Sequence, residues 1–467
     1  MREVSLADNN QLETVGKPLR TLWFSVLLAL TEAGASAADA PATIYDQNPE
    51  HLWNRIYQAI AVRNEGAVAY GIDNAAPFLE PFDDPGKLAG LLDDFLEHQG
   101  ESRAAGSLQR ALFQNDLWAA FDLGASWRYD PRVNPQHSQE VAALRGRLAR
   151  VIGRLTMSQR AIAELPDNYV QAVKSGRFAS DFDPAHPERP FLPPDLFEPR
   201  GAWVPLGNEF GEPEALFHTE LLAGRSAFSV FIRCPGGREA TLAYLDKLSL
   251  YPTPWLLQMG LGTRYPDKVR IRNNPLRFDP QTPQFPPGTI VALVRRMMVI
   301  DDQFEPEPTR ITQTVQFRVY LKVEGGRVGA AFDGRQQPFE FVMRRAALLA
   351  ARDGGLHAVA TDEAEYRIYP MKGGTRAARL GGTVVLSQCR TCHTGDGIFS
   401  VNTYTHRLST SRSSINPQLL AVGEPPLVID GTPIGDQRVA TVDWKKRRFD
   451  WGLLRGLIEA ENTMSPH

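Results

Sequence analysis

Hydrophobic positions recur with two different periods along this chain, and the change of period divides it. From about Asn48 to Gly176 they return at helical spacing. The clearest run is Ser138 to Leu165, where Val141, Leu144, Leu148, Val151, Leu155 and Ile162 make one stripe. Arg145, Arg147, Arg150 and Arg154 lie largely off that stripe, as on a solvated face, and Pro166 ends it. Leu108, Leu112, Phe113, Leu117 and Phe121 predict another helix with a wide apolar face, and Trp118 and Trp127 are expected to fill the core between helices. After Gly201 the period moves towards two. In Arg310 to Val323, Ile311, Val315, Phe317, Val319, Leu321 and Val323 face one side; Arg310, Thr312, Thr314, Gln316, Arg318 and Lys322 face the other. That alternation predicts a long strand with one wet face. Thr289 to Ile300 is apolar on both faces and reads as a central strand. Asp301 to Thr309 suits a loop, Phe339, Phe341 and Met343 suggest a third strand, and Glu239 to Leu248 a helix packed on the sheet.

The expected fold class is therefore α+β, with an N-terminal helical region (residues 45–183) and a central, mainly antiparallel β region (residues 200–372). Pro184, Pro187, Pro190, Pro193, Pro194 and Pro199 lie between them. Proline removes backbone donors and disfavours helix in the residue before it, so an ordered surface connection is expected there. A third region, residues 376–467, is loop-rich and closes on a helix with Phe449, Leu453, Leu454, Leu457 and Ile458 on one face. Lys445-Lys446-Arg447-Arg448 just before it reads as a solvated turn, or as a patch that steers an acidic partner.

The chain has 467 residues, a formal net charge of −3, and 43% hydrophobic and 22% charged residues, so a soluble globular protein without a nucleic-acid partner is expected. At the N-terminus Lys17 and Arg20 precede the apolar run Leu22 to Leu30, and Ala35-Ser36-Ala37 follows as an A-x-A cleavage site. Residues 1–37 read as a secretory signal peptide, with an uncleaved anchor as the alternative. No later stretch has the length of a membrane span, so the mature chain is expected to have none.

The chemistry concentrates in Cys389-Arg390-Thr391-Cys392-His393. Two cysteines two residues apart, with histidine next, are the attachment signature of c-type haem. Both thiols add across the vinyl groups, and the histidine can take an axial position on the iron. A short helix, Gly381 to Gln388, is expected to deliver Cys389, and the glycine-containing turn Thr394-Gly395-Asp396-Gly397 follows. A redox-active CxxC pair, a partial zinc site and a structural disulfide are the other readings of the two cysteines. Cys234, the third cysteine, reads as a buried small apolar side chain. His218 and His357 are isolated in sequence and read as structural hydrogen-bonding histidines, and Met297 and Met298 as core filling. No GxSxG, HExxH, P-loop or dinucleotide fingerprint is present.

Residues 381–399 resemble the haem-binding segment of the cytochrome c family, with Cys389 and Cys392 as the attachment thiols. The resemblance implies a small cytochrome c-like module at the C-terminus, one covalent haem c, His393 as proximal iron ligand, and assembly outside the bacterial cytoplasm, as in the periplasm. Family members normally supply a distal methionine downstream, but here none lies between His393 and Met464. His406 is the nearest substitute, Met371 lies upstream and could reach the iron across a loop, and His357, Met343 and His467 are weaker candidates. A haem iron with both axial positions filled exchanges electrons, whereas an open one binds small molecules. The expected function is electron transfer with a redox partner protein. The alternatives are a peroxidase-like haem enzyme with an open distal site, and a module for a small-molecule ligand or partner with haem as redox accessory.

Overall fold

The computed structural model describes residues 43–65, 68–71, 84–125, 138–207, 213–251, 255–257, 276–324, 335–365, 383–384, 386, 393, 395–401, 420–421, 428–429, 432–433 and 437–464. The proposed signal peptide, residues 1–37, lies outside them. The architecture is mixed α+β: N-terminal helices, a central antiparallel sheet of six strands, and C-terminal helices. Among the described residues no helix is long and apolar enough to cross a membrane.

The helical layer contains α1 (Leu52–Ala61), α2 (Pro85–Glu97), α3 (Ser107–Gly124), α4 (Ser138–Arg154), α5 (Gln159–Ala163) and α6 (Asn168–Lys174). The expected helix through Leu165 is thus two helices. Ser158 starts the second, its side chain accepting from the Ala161 amide. Between them Met157 bridges to Asp301, so the break ties the helical layer to the sheet. The stripe survives the break: Val141, Leu144, Leu148, Val151, Leu155 and Ile162 are all buried.

The sheet is built from β1 (Val204–Gly207), β2 (Ser226–Arg233), β3 (Thr289–Ile300), β4 (Pro306–Tyr320), β5 (Gln336–Met343) and β6 (Leu356–Ala358). Its order is β6-β5-β4-β3-β2-β1, antiparallel throughout, and the two-residue strand Leu420–Ala421 adds to β1. β4 begins at Pro306 rather than Arg310, because the turn before it is tighter than its acids and prolines suggested. The Asp301 carboxylate accepts from the Gln303 and Glu305 amides at 2.9 and 2.8 Å, and proline is tolerated as a first strand residue.

One sheet face joins the helical layer in a continuous apolar core that also takes Phe191, Leu192 and Leu196 from the proline-rich connection. The last helices, α10 (Gln437–Lys446) and α11 (Phe449–Met464), complete it. There Trp451, Leu454 and Ile458 are buried, whereas Phe449, expected on that face, is 77% exposed. Lys445 is likewise no part of a solvated turn. It is fully buried between Asp122 and Asp450, at 3.0 and 2.7 Å.

The other sheet face is wet only in part. Arg310 and Lys322 are exposed and Gln316 and Arg318 half-buried, as the alternation predicts, but Thr314 and, on the flanking strands, Arg295 and Glu340 are buried. Next to them Phe228, Val230 and Ile232 of β2 form a second apolar cluster with Tyr244, Leu245 and Leu248 of α8 (Gly237–Ser249) and with Ile398 and Phe399. The residues just after His393 therefore pack on this face.

Candidate functional site

Arg390, Thr391, His406 and both motif cysteines, Cys389 and Cys392, lie outside the described residues. Of the segment expected to be a helix before them, Thr383–Val384 is a short strand paired with Ala364–Glu365, and Leu386 is helical.

His393 is held from below. Its Nδ1–H donates to the carbonyl of Ser400 at 2.8 Å, which leaves the ring lone pair on Nε2. Ser400 ends the 3₁₀ turn Gly397–Ser400. Its hydroxyl donates to the Gly397 carbonyl at 2.8 Å and accepts from the Tyr320 hydroxyl at 2.7 Å, at the buried end of β4. The Asp396 carboxylate accepts from the Glu324 amide at 2.8 Å and pairs with Arg335 at 3.6 Å. Two glycines make this seat possible. A Cβ at Gly395 would stand 2.2 Å from the Phe399 carbonyl oxygen, and Gly397 has φ +52° with Gln284 pressed against it.

Beside this seat stands His218, on the six-residue helix α7 (Leu216–Leu221). Its ring centroid is 6.3 Å from that of His393, and the two ring planes differ by only 14°. Phe228 supports the His218 ring from β2 at 5.5 Å. The imidazole is set deep among protein atoms yet keeps some accessible surface. Burial, then the charges of Arg295 and Arg318, push its pKa down to about 4, so the ring is neutral at neutral pH. Neither ring nitrogen meets a hydrogen-bond partner among the described residues.

The remaining candidates go elsewhere. His357 donates or accepts through Nε2 with Glu363 at 2.8 Å, a carboxylate that Arg344 also holds, so it has the structural role expected. Met343, Met297 and Met298 are buried in the core on the helical side of the sheet. Met464 lies in the last turn of α11, and Met371 and His467 lie outside the described residues. Cys234 is buried, and burial pushes its thiol up, consistent with an inert apolar role.

Sequence reasoning took His218 for an isolated structural histidine. Its neighbours Leu216, Phe217 and Thr219 carry no ligand spacing, so nothing local marks it. Chemically, two neighbouring imidazoles can donate lone pairs to one metal or relay a proton. Among the described residues no group of three or more His, Cys, Asp or Glu side chains could hold a metal ion. No family model, no curated protein and no solved structure matches the chain.

Proposed function

We propose that this chain is an exported monohaem c-type cytochrome: Cys389 and Cys392 attach one haem, His393 is its proximal ligand, and the protein passes electrons to a redox partner. In this reading the residues just after His393 hold the haem segment against the second face of the sheet, while α10 and α11 pack with the helical layer. The observation that carries it is the CxxCH motif, supported by the hydrogen bond that orients its histidine. Metal-ligating imidazoles almost always donate their other N–H to a carbonyl or carboxylate. The bond from His393 Nδ1 to Ser400 meets that requirement, so the residues fit the group.

Bound haem supplies a one-electron iron couple. The protein's own residues do the positioning. Ser400 keeps a proton on Nδ1 and fixes the ring orientation, while Tyr320 and Gly397 hold Ser400. Ile398 and Phe399 anchor the turn in apolar surroundings, and Arg295 and Arg318 keep positive charge near His218.

The test is the mass and colour of the mature protein made in cells with working cytochrome maturation. One covalent haem and an N-terminus near Ala38 are expected. Replacing Cys389 and Cys392 together by alanine should abolish attachment. A colourless polypeptide weighing no more than its amino acids would refute the proposal.

A further inference from the structure

The pairing of His218 with His393 asks for an explanation beyond packing. Two imidazoles on opposite sides of one metal ion, each nitrogen about 2.0–2.1 Å from it, have ring centroids about 6–6.5 Å apart. The observed separation is 6.3 Å. Histidines kept for structure are normally tied down by hydrogen bonds, as His357 is by Glu363. The ring of His218 has no such tie among the described residues. A bare ion would need further side-chain ligands, and none join the pair among the described residues. A tetrapyrrole brings four nitrogens of its own and needs only two axial ones.

We infer that His218 is the second axial ligand of the iron whose proximal ligand is His393. This rests on the haem reading above and assigns the distal position to a residue from the far side of the β region, in place of His406. The C-terminal segment then supplies one ligand and α7 the other. The haem would join the two parts of the chain across the second face of the sheet, closed to exogenous ligands.

The experiment uses the full mature protein with haem attached. The wild type should be six-coordinate and low-spin, and should not bind carbon monoxide when reduced. Near-parallel ring planes should give a rhombic low-spin electron paramagnetic resonance signal. His218→Ala should keep its covalent haem by mass, turn high-spin, and bind one carbon monoxide per haem on reduction; added imidazole should restore the low-spin spectrum. His218→Met should remain low-spin with a raised midpoint potential, since a methionine axial ligand raises it. Three outcomes would overturn the assignment while the haem stays attached and the cytochrome reading stands. These are a wild type already high-spin and open to carbon monoxide, an unchanged low-spin spectrum in His218→Ala, and a switch to high-spin in His406→Ala instead. A wild type without covalent haem overturns both readings together.

Discussion

The two faces of the central sheet are built from the same strands but have different contents. Towards the helices, Ala292 and Val294 of β3, Val315, Phe317 and Val319 of β4, and Phe339 and Phe341 of β5 are all apolar and buried. Aromatic contacts knit them to the proline-rich connection: Phe191 lies 4.8 Å from Phe317 and 5.2 Å from Phe339 between ring centroids. One residue along each strand, the other face carries Arg295, Thr314 and Glu340, equally withdrawn from water but polar. Burying an apolar ring contributes about 1.5–3 kcal/mol, whereas burying polar groups costs free energy unless partners are supplied. The first face therefore stabilises the fold. The second combines an apolar cluster with buried charge and two neighbouring imidazoles, so its contribution depends on how its polar groups are partnered.

The helical side also buries charge, but in a closed set. Lys445 lies between Asp122 and Asp450, and Arg225 reaches Asp122 at 2.8 Å. Burial raises Asp122, whereas at Asp450 the burial is outweighed by Lys445 and Arg448, which bring it below its ordinary value. Asp122 should therefore take up a proton first on acidification. Lys445→Met removes the cation that Asp122 and Asp450 share, leaving Arg225 with the first and Arg448 with the second. It should cost about 3–5 kcal/mol in urea unfolding, with the spectrum of the proposed haem unchanged in the folded fraction.

Phe317→Ala opens a cavity on the apolar face and should cost about 3–5 kcal/mol, again without altering the spectrum. On the site face, Tyr320→Phe removes one hydrogen bond to Ser400 and should cost only about 0.5–1.5 kcal/mol. Its signature should be spectroscopic, shifted g values in the low-spin electron paramagnetic resonance signal of the proposed haem as the His393 support loosens. If Tyr320→Phe destabilises as much as Phe317→Ala and leaves the spectrum untouched, the division of labour between the faces fails.

The smallest effect is expected at the sheet edge, where Glu363 joins His357 and Arg344. Burial pushes this carboxyl up, but the His357 hydrogen bond, the Ala360 amide and Arg344 bring it below its ordinary value of 4.5. A carboxyl lowered in the folded state stabilises the fold above its unfolded value, and that contribution fades as pH falls through the folded value. Glu363→Gln should therefore cost about 1 kcal/mol at neutral pH and less below pH 4.5, flattening the acid limb of a plot of urea midpoint against pH.

Much of the fold is legible because it repeats locally. The stripe from Val141 to Ile162 and the alternation from Val315 to Val319 state which side is buried, and each did become core. What the same alternation could not say is whether the polar side of β4 meets water, since that depends on segments far along the chain. Lys445 shows the same limit: beside three other cations it reads as solvated, yet Asp122 and Asp450 close around it.

By itself the sequence determined the α+β class, the antiparallel strands and the motif at Cys389–His393, because periodicity and motif spacing are properties of neighbouring residues. Only the tertiary structure decided that His218 stands 6.3 Å from His393, that Tyr320 and Ser400 seat the latter, and that the second sheet face is partly covered. Such pairings depend on strand order and on how distant segments pack. Residues far apart in the chain meet there for reasons that no local window contains.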